Sequence, residues 1–128
     1  MNKNAPDQEP PPVPSAPVLR RKPGALCPII SFNRTVGGKY KLRILYELKT
    51  GVARYGQLRK ALIEATLEKT ITGRVLSREL KELQERGLIS RRQYPVVPPK
   101  VEYRLTDRGR TLIPIIESMM YWTLGVPR

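Results

Sequence analysis

Two short segments that contain β-branched and aromatic residues, Leu88 to Tyr94 and Val101 to Leu105, bracket Pro95, Pro98 and Pro99. Proline cannot donate to a strand ladder, so the three prolines fall at the tip and the flanks pair as an antiparallel hairpin with a long, stiff end. Arg91, Arg92, Lys100 and Arg104 decorate this hairpin with positive charge. The residues before it predict a helix from Thr72 to Arg86 that stops at Gly87. Thr72 suits the N-cap, glycine suits the C-terminal stop, and Leu76, Leu80 and Leu83 recur at i, i+4 and i+7 as a buried stripe. At about 100° per residue, Arg74, Ser77, Arg78 and Lys81 lie across from that stripe, weighted toward the helix N-terminus.

The charge balance agrees with this pattern. Among 128 residues, Lys and Arg number 24 and Asp and Glu 11, a net charge of +13. Such an excess points to a polyanionic partner held by phosphate neutralisation and counterion release. A membrane surface would attract the same charge. Yet no apolar run approaches the roughly 20 residues of a spanning helix, nor does the N-terminal stretch carry the apolar core of a signal peptide, so the chain is expected to be cytoplasmic and nucleoid-associated. An enzyme is not expected. Histidine is absent, the single cysteine Cys27 cannot build a thiolate metal site, and no glycine-rich phosphate loop is present. Glu102 and Asp107 read as a strand residue and a helix cap rather than a catalytic pair, and neither metal nor cofactor is expected.

Residues 1 to 24 read as a disordered, proline-rich arm, since residues 1 to 23 hold seven of the thirteen prolines and too little apolar material to fold. Arg20, Arg21 and Lys22 end it with a cluster that either touches DNA or is a solvated charge run. The remaining 25–128 is expected to form one domain. Within it, Cys27 to Val36 is a short apolar segment with Pro28 suited to a first helical position and Gly37-Gly38 closing it. Lys39 to Lys49 carries Leu42, Leu45, Tyr46 and Leu48 at helical spacing with Lys41, Arg43 and Glu47 between them, and Gly51 as a stop. Tyr55 to Leu62 is a shorter helix, and Ile63 to Thr70 a loop or an extra half-turn.

Thr106 with Asp107 is expected to cap the last helix, bent about two turns in by Pro114. This helix carries Leu112, Ile115, Ile116, Met119, Met120 and Trp122. It is apolar on more than one face, more than a small domain needs, which predicts a homodimer; packing on its own domain is the alternative. The fold class is therefore mainly α with a small β-hairpin wing (α+β), a winged helix-turn-helix.

These residues also carry a family resemblance. Cys27-Pro28, Gly37-Gly38-Lys39-Tyr40-Lys41-Leu42, Arg54-Tyr55-Gly56-Gln57-Leu58-Arg59, the Leu76 to Gly87 helix, and above all Tyr94-Pro95, Val97-Pro98-Pro99-Lys100-Val101-Glu102-Tyr103, Leu105-Thr106 and Gly109 resemble the HxlR-type regulators. That branch of the winged helix-turn-helix proteins is related to the MarR group. The chain departs from the pattern at Tyr40, where the family usually has Trp, at Thr123, where it usually has Gly, and in a longer stretch between Arg59 and Ile71.

The resemblance implies a homodimeric transcription regulator, joined through its first and last helices, with Ile29, Leu112, Ile115, Ile116, Met119 and Trp122 at the interface. One recognition helix per subunit would enter successive major grooves of a pseudo-palindromic operator in double-stranded DNA. Arg74, Ser77, Arg78 and Lys81, with Thr72 at the helix start, are expected to reach base edges or phosphates. Lys39, Arg54 and Gln57 would add phosphate contacts, and Arg91, Arg92 and Lys100 on the wing would hold backbone or minor groove. Glu79, Glu82 and Glu85 are expected to pair with Arg78, Lys81 and Arg86 along the helix. A non-sequence-specific architectural DNA binder would share the charge but not explain wing and capped helix together.

Cys27 has two readings. The helix dipole and nearby Arg21 and Lys22 would favour its thiolate, and some members of the family sense oxidants or electrophiles with a cysteine at this place. A packed structural thiol is the other.

Overall fold

The computed structural model describes residues 24–127, so the arm read over residues 1 to 24 lies, apart from Gly24, outside the described residues. Its helices and strands run in the order α1 (Pro28–Val36), α2 (Lys41–Glu47), a 3-10 turn (Leu48–Thr50), α3 (Tyr55–Thr66), α4 (Gly73–Glu85), β1 (Ile89–Tyr94), β2 (Lys100–Leu105), α5 (Asp107–Arg110) and α6 (Ile113–Leu124). This is the predicted winged helix-turn-helix, with α3 and α4 as the helix-turn-helix and the β1–β2 hairpin as the wing.

Each boundary has a local cause. Pro28 opens α1 with Cys27 at the N-cap. Gly37 ends it because its backbone folds back so closely that a Cβ there would lie 2.1 Å from the Asn33 carbonyl oxygen. In α4 the Thr72 hydroxyl accepts a hydrogen bond from the Val75 N–H at 3.2 Å, and Gly87 takes the left-handed φ of 73° beyond the C-terminus. The wing pairs Ile89 with Leu105 through to Tyr94 with Lys100, antiparallel. Ala53, between α2 and α3, extends this sheet by exchanging two backbone hydrogen bonds with Tyr103, at 3.0 and 2.9 Å.

One core joins all of this. Leu76, Leu80 and Leu83 of α4 are buried, with Ile44, Leu45 and Leu48 from α2 and its turn, Leu58 and Leu62 from α3, Leu88, Ile89, Tyr103 and Leu105 from the wing base, and Val36, Ile113 and Ile116 from the outer helices.

Three expectations need correction. The polar stretch after Leu62 stays helical for another turn, to Thr66, and Leu67 then takes a left-handed φ of 58°. Part of the long stretch between Arg59 and Ile71 is thus absorbed as helix, its outer residues Glu64 and Ala65 exposed and so without apolar periodicity. The last helix is not one bent rod. Thr106 caps the short α5, whose Gly109 N–H it accepts at 3.0 Å, and α6 starts afresh at Ile113 with Pro114 in its first turn. A proline lacks only an N–H that the first turn leaves unpaired, so it begins a helix more readily than it bends one. Finally, Ile116 is 3% exposed, so of the apolar residues assigned to an interface it serves the domain's own packing, while Leu112 is half-buried against the core.

Gly109 makes a sharp test of this packing. It is buried where α5 crosses the start of the wing, and a Cβ there would lie 2.1 Å from the Leu88 carbonyl oxygen. Gly109→Ala is expected to destabilise the fold by about 3 kcal/mol, read as a lowered midpoint in urea unfolding; an unchanged midpoint would mean the helix is free to move away.

Candidate nucleic-acid interface

The amphipathic spacing of α4 turns its leucines inward, and the consequence is an outer face where Arg74, Ser77, Arg78 and Lys81 are all exposed. Thr72 begins this face, with its hydroxyl engaged in the cap. At the start of α3, the Gln57 side-chain oxygen accepts the Arg54 N–H at 2.7 Å. That bond caps the helix and leaves the Gln57 amide NH2 and the exposed Arg54 guanidinium for a phosphate. Lys39 is placed differently from expectation. Its ammonium lies 2.6 Å from Glu68, in the turn between α3 and α4, and the Tyr40 hydroxyl donates to the same carboxylate oxygen at 3.0 Å. The hydrogen bond that Lys39 donates to Glu68 raises the Lys39 pKa, and those donated by Lys39 and Tyr40 lower that of Glu68. Lys39 therefore ties the turn to the start of α2 through a surface ion pair, its side chain 58% exposed.

On the wing, Arg91 and Arg92 are exposed and Lys100 is half-buried. Strand alternation puts Arg92 and Tyr94 on one face, where the Arg92 guanidinium lies 4.7 Å and the Lys100 ammonium 4.8 Å from the Tyr94 ring centre. The Tyr94 hydroxyl donates to Glu102 at 2.7 Å, which raises the tyrosine pKa and lowers that of the carboxylate. One aromatic ring thus organises two wing cations, so they are presented as a unit.

The residues that sequence reasoning missed lie behind α4. The sequence sets Lys41 between the apolar residues of its helix and pairs Glu79 and Glu82 with helix neighbours, of which Arg78 does lie 3.8 Å from Glu79. Lys41, however, is 5% exposed and its ammonium lies 3.1 Å from Glu79 and 2.6 Å from Glu82. The hydrogen bond from Lys41 lowers the Glu82 pKa. A signal was there to find. Lys41, Ile44, Leu45 and Leu48 stand at i, i+3, i+4 and i+7, as do Leu76, Glu79, Leu80 and Leu83, so each helix carries a charge of opposite sign on its buried stripe. Two such charges must meet, because either alone would be buried unpaired at high cost. Arg59 was also missed: it donates to the Ile71 carbonyl at 3.2 Å and to the Thr70 hydroxyl at 2.6 Å, pinning the end of the turn.

Known proteins agree with this geometry. Residues 35–126 match the family model described as HxlR-like helix-turn-helix. The chain belongs to that family. The "Uncharacterized HTH-type transcriptional regulator YdzF" of Bacillus subtilis is 50% identical over 93 residues, covering 70% of this chain and 78% of that protein. Among solved structures, the redox regulator HypR in its oxidized form aligns with a TM-score of 0.68 and 37% identity, over 80% of this chain and 99% of that one. A MarR-family transcriptional regulator from Porphyromonas gingivalis W83 aligns with a TM-score of 0.69 and 34% identity, over 82% of this chain and 97% of its own. As a member of the HxlR-like family, the chain is a transcriptional regulator of helix-turn-helix type and not an enzyme. Among its described residues no helix is long and apolar enough to cross a membrane.

Proposed function

We propose that this regulator is a homodimer that reads a pseudo-palindromic operator, with α4 of each protomer in a major groove and the wing on the flanking backbone or minor groove. The observation that carries the reading is the split of α4 into a buried leucine stripe and an exposed face of Arg74, Ser77, Arg78 and Lys81. Arg54 and Gln57 would hold phosphate at the start of α3, and Arg91, Arg92 and Lys100 would hold the duplex beside it. Support for the dimer comes from exposed apolar side chains on α1 and α6: Ile29, Ile115, Met119 and Trp122. Footprinting on a duplex selected from a random-sequence library tests it. Two protected half-sites centred about 34–36 Å apart are expected; uniform protection would favour an architectural binder.

Cys27 serves in this reading as an oxidant or electrophile sensor. It is half-buried at the start of α1, beside the apolar face assigned to dimerisation, and HypR, one of the structural relatives, is a redox regulator. An adduct or an intersubunit bond there would rotate one protomer against the other and move one recognition helix out of register with its groove. A mild peroxide oxidant is expected to lower operator affinity in gel shifts of the wild type and leave Cys27→Ser unaffected. Equal loss in both proteins would place the oxidation elsewhere, at Met119 or Met120 for example.

A further inference from the structure

The fold of α4 against α2 contains a feature that stability alone does not explain. The leucine stripe already supplies an apolar contact between these elements, yet a lysine and two glutamates occupy the same interface, and the Lys41 and Glu79 side chains are each only 7% exposed. Taking such charges out of water offsets most of their mutual attraction, so well-packed apolar side chains of similar size would hold the helices together about as well. What apolar packing supplies poorly is direction. Leucine surfaces tolerate small rotations and slides, whereas an ammonium held at 3.1 and 2.6 Å by two carboxylates one helical turn apart accepts one rotational setting and one axial register.

The triad also reaches toward the outer face. The Arg78 guanidinium Nε lies 3.8 Å from the same Glu79 oxygen that meets Lys41. A chain of charges therefore runs from α2 through the core side of α4 to a side chain on its exposed face. A bidentate hydrogen bond to a base edge is lost with a displacement of about an ångström, while a phosphate contact tolerates more.

We infer that Lys41, Glu79 and Glu82 are positioning residues that set the angle and register of the recognition helix, and through them the discrimination between operator and other DNA. This rests on the proposal that the chain reads sequence. The triad touches no DNA; it acts through Arg78 and its neighbours.

The test uses the full chain and an operator selected by the wild type from a random duplex library. The variant Lys41→Met, Glu79→Met, Glu82→Gln removes the buried charges and keeps side-chain volume. It is expected to fold, with cooperative thermal unfolding, and to bind random duplex about as the wild type does. Its preference for operator over random duplex at matched salt should fall about tenfold, the worth of roughly one misread base pair. Glu82→Gln alone keeps an acceptor for Lys41 and is expected to retain the preference within about twofold. A folded triple variant with undiminished preference would overturn the inference. So would equal loss on both duplexes or loss of folding, since either would make the triad a stability element only. If the wild type itself shows no preference, sequence reading fails first and the inference with it.

Discussion

Met119→Glu is expected to turn the proposed dimer into a monomer that is still folded, and to cost operator affinity about 100-fold or more. Met119 is 44% exposed in the single chain, so a carboxylate there remains hydrated in the isolated protomer and the fold loses little. The cost falls on association. A two-fold interface repeats every substitution, so two carboxylates would be buried without partners, each at several kcal/mol. Affinity follows, because two recognition helices on one rigid body bind with an effective concentration that a lone helix lacks, a gain of about 10²–10⁴. Light scattering at micromolar concentration reads the mass. The control is Ile116→Glu: at 3% exposure that position belongs to the core, and its substitution should unfold the chain. A wild type that is monomeric without DNA would remove the basis of the proposal.

The second large effect concerns readout. Arg78→Ala is expected to weaken operator binding by about 1–3 kcal/mol for each half-site and random-duplex binding much less. Arg78 combines an exposed guanidinium, 58% accessible over its side chain, with a backbone position fixed by the buried stripe. Arg92→Ala should behave otherwise. Its guanidinium lies against the Tyr94 ring on the wing, and a phosphate contact there carries no sequence information, so both duplexes should lose affinity together and the salt dependence should flatten by about one counterion per half-site. Competition titrations on the two duplexes separate the cases. The same loss on both for Arg78→Ala would assign that arginine to the backbone.

The parts of the fold that were legible from sequence are those where one interaction dominates locally. Thr72, the leucine repeat and Gly87 bound α4 because capping and apolar period act within one helix, and Pro95, Pro98 and Pro99 place the wing tip because a missing N–H is a property of the residue itself. Less legible were the features decided by contacts between elements. Lys41 looked like surface because its two carboxylate partners lie 38 and 41 residues away, and Lys39 looked ready for phosphate because Glu68 comes to it only when the turn folds over α2. The last segment was misread for a subtler reason. Pro114 is equally compatible with a bent helix and a new one, and the break itself is a tightened turn in which the Thr111 and Leu112 N–H groups donate to Arg108 and Gly109, three residues back. The site followed the same division. The α4 face emerged from periodicity, whereas which wing cations are held, and by which ring, depended on strand register.

Affinity for the selected operator against random duplex, measured on the wild-type protein at a single near-physiological salt concentration, tests the central claim most directly. An exposed, positioned set of Arg74, Ser77, Arg78 and Lys81 on each of two protomers predicts operator binding at least about 10³-fold tighter than random binding. Equal affinity for the two duplexes would contradict it and leave a protein that holds DNA by its charge alone.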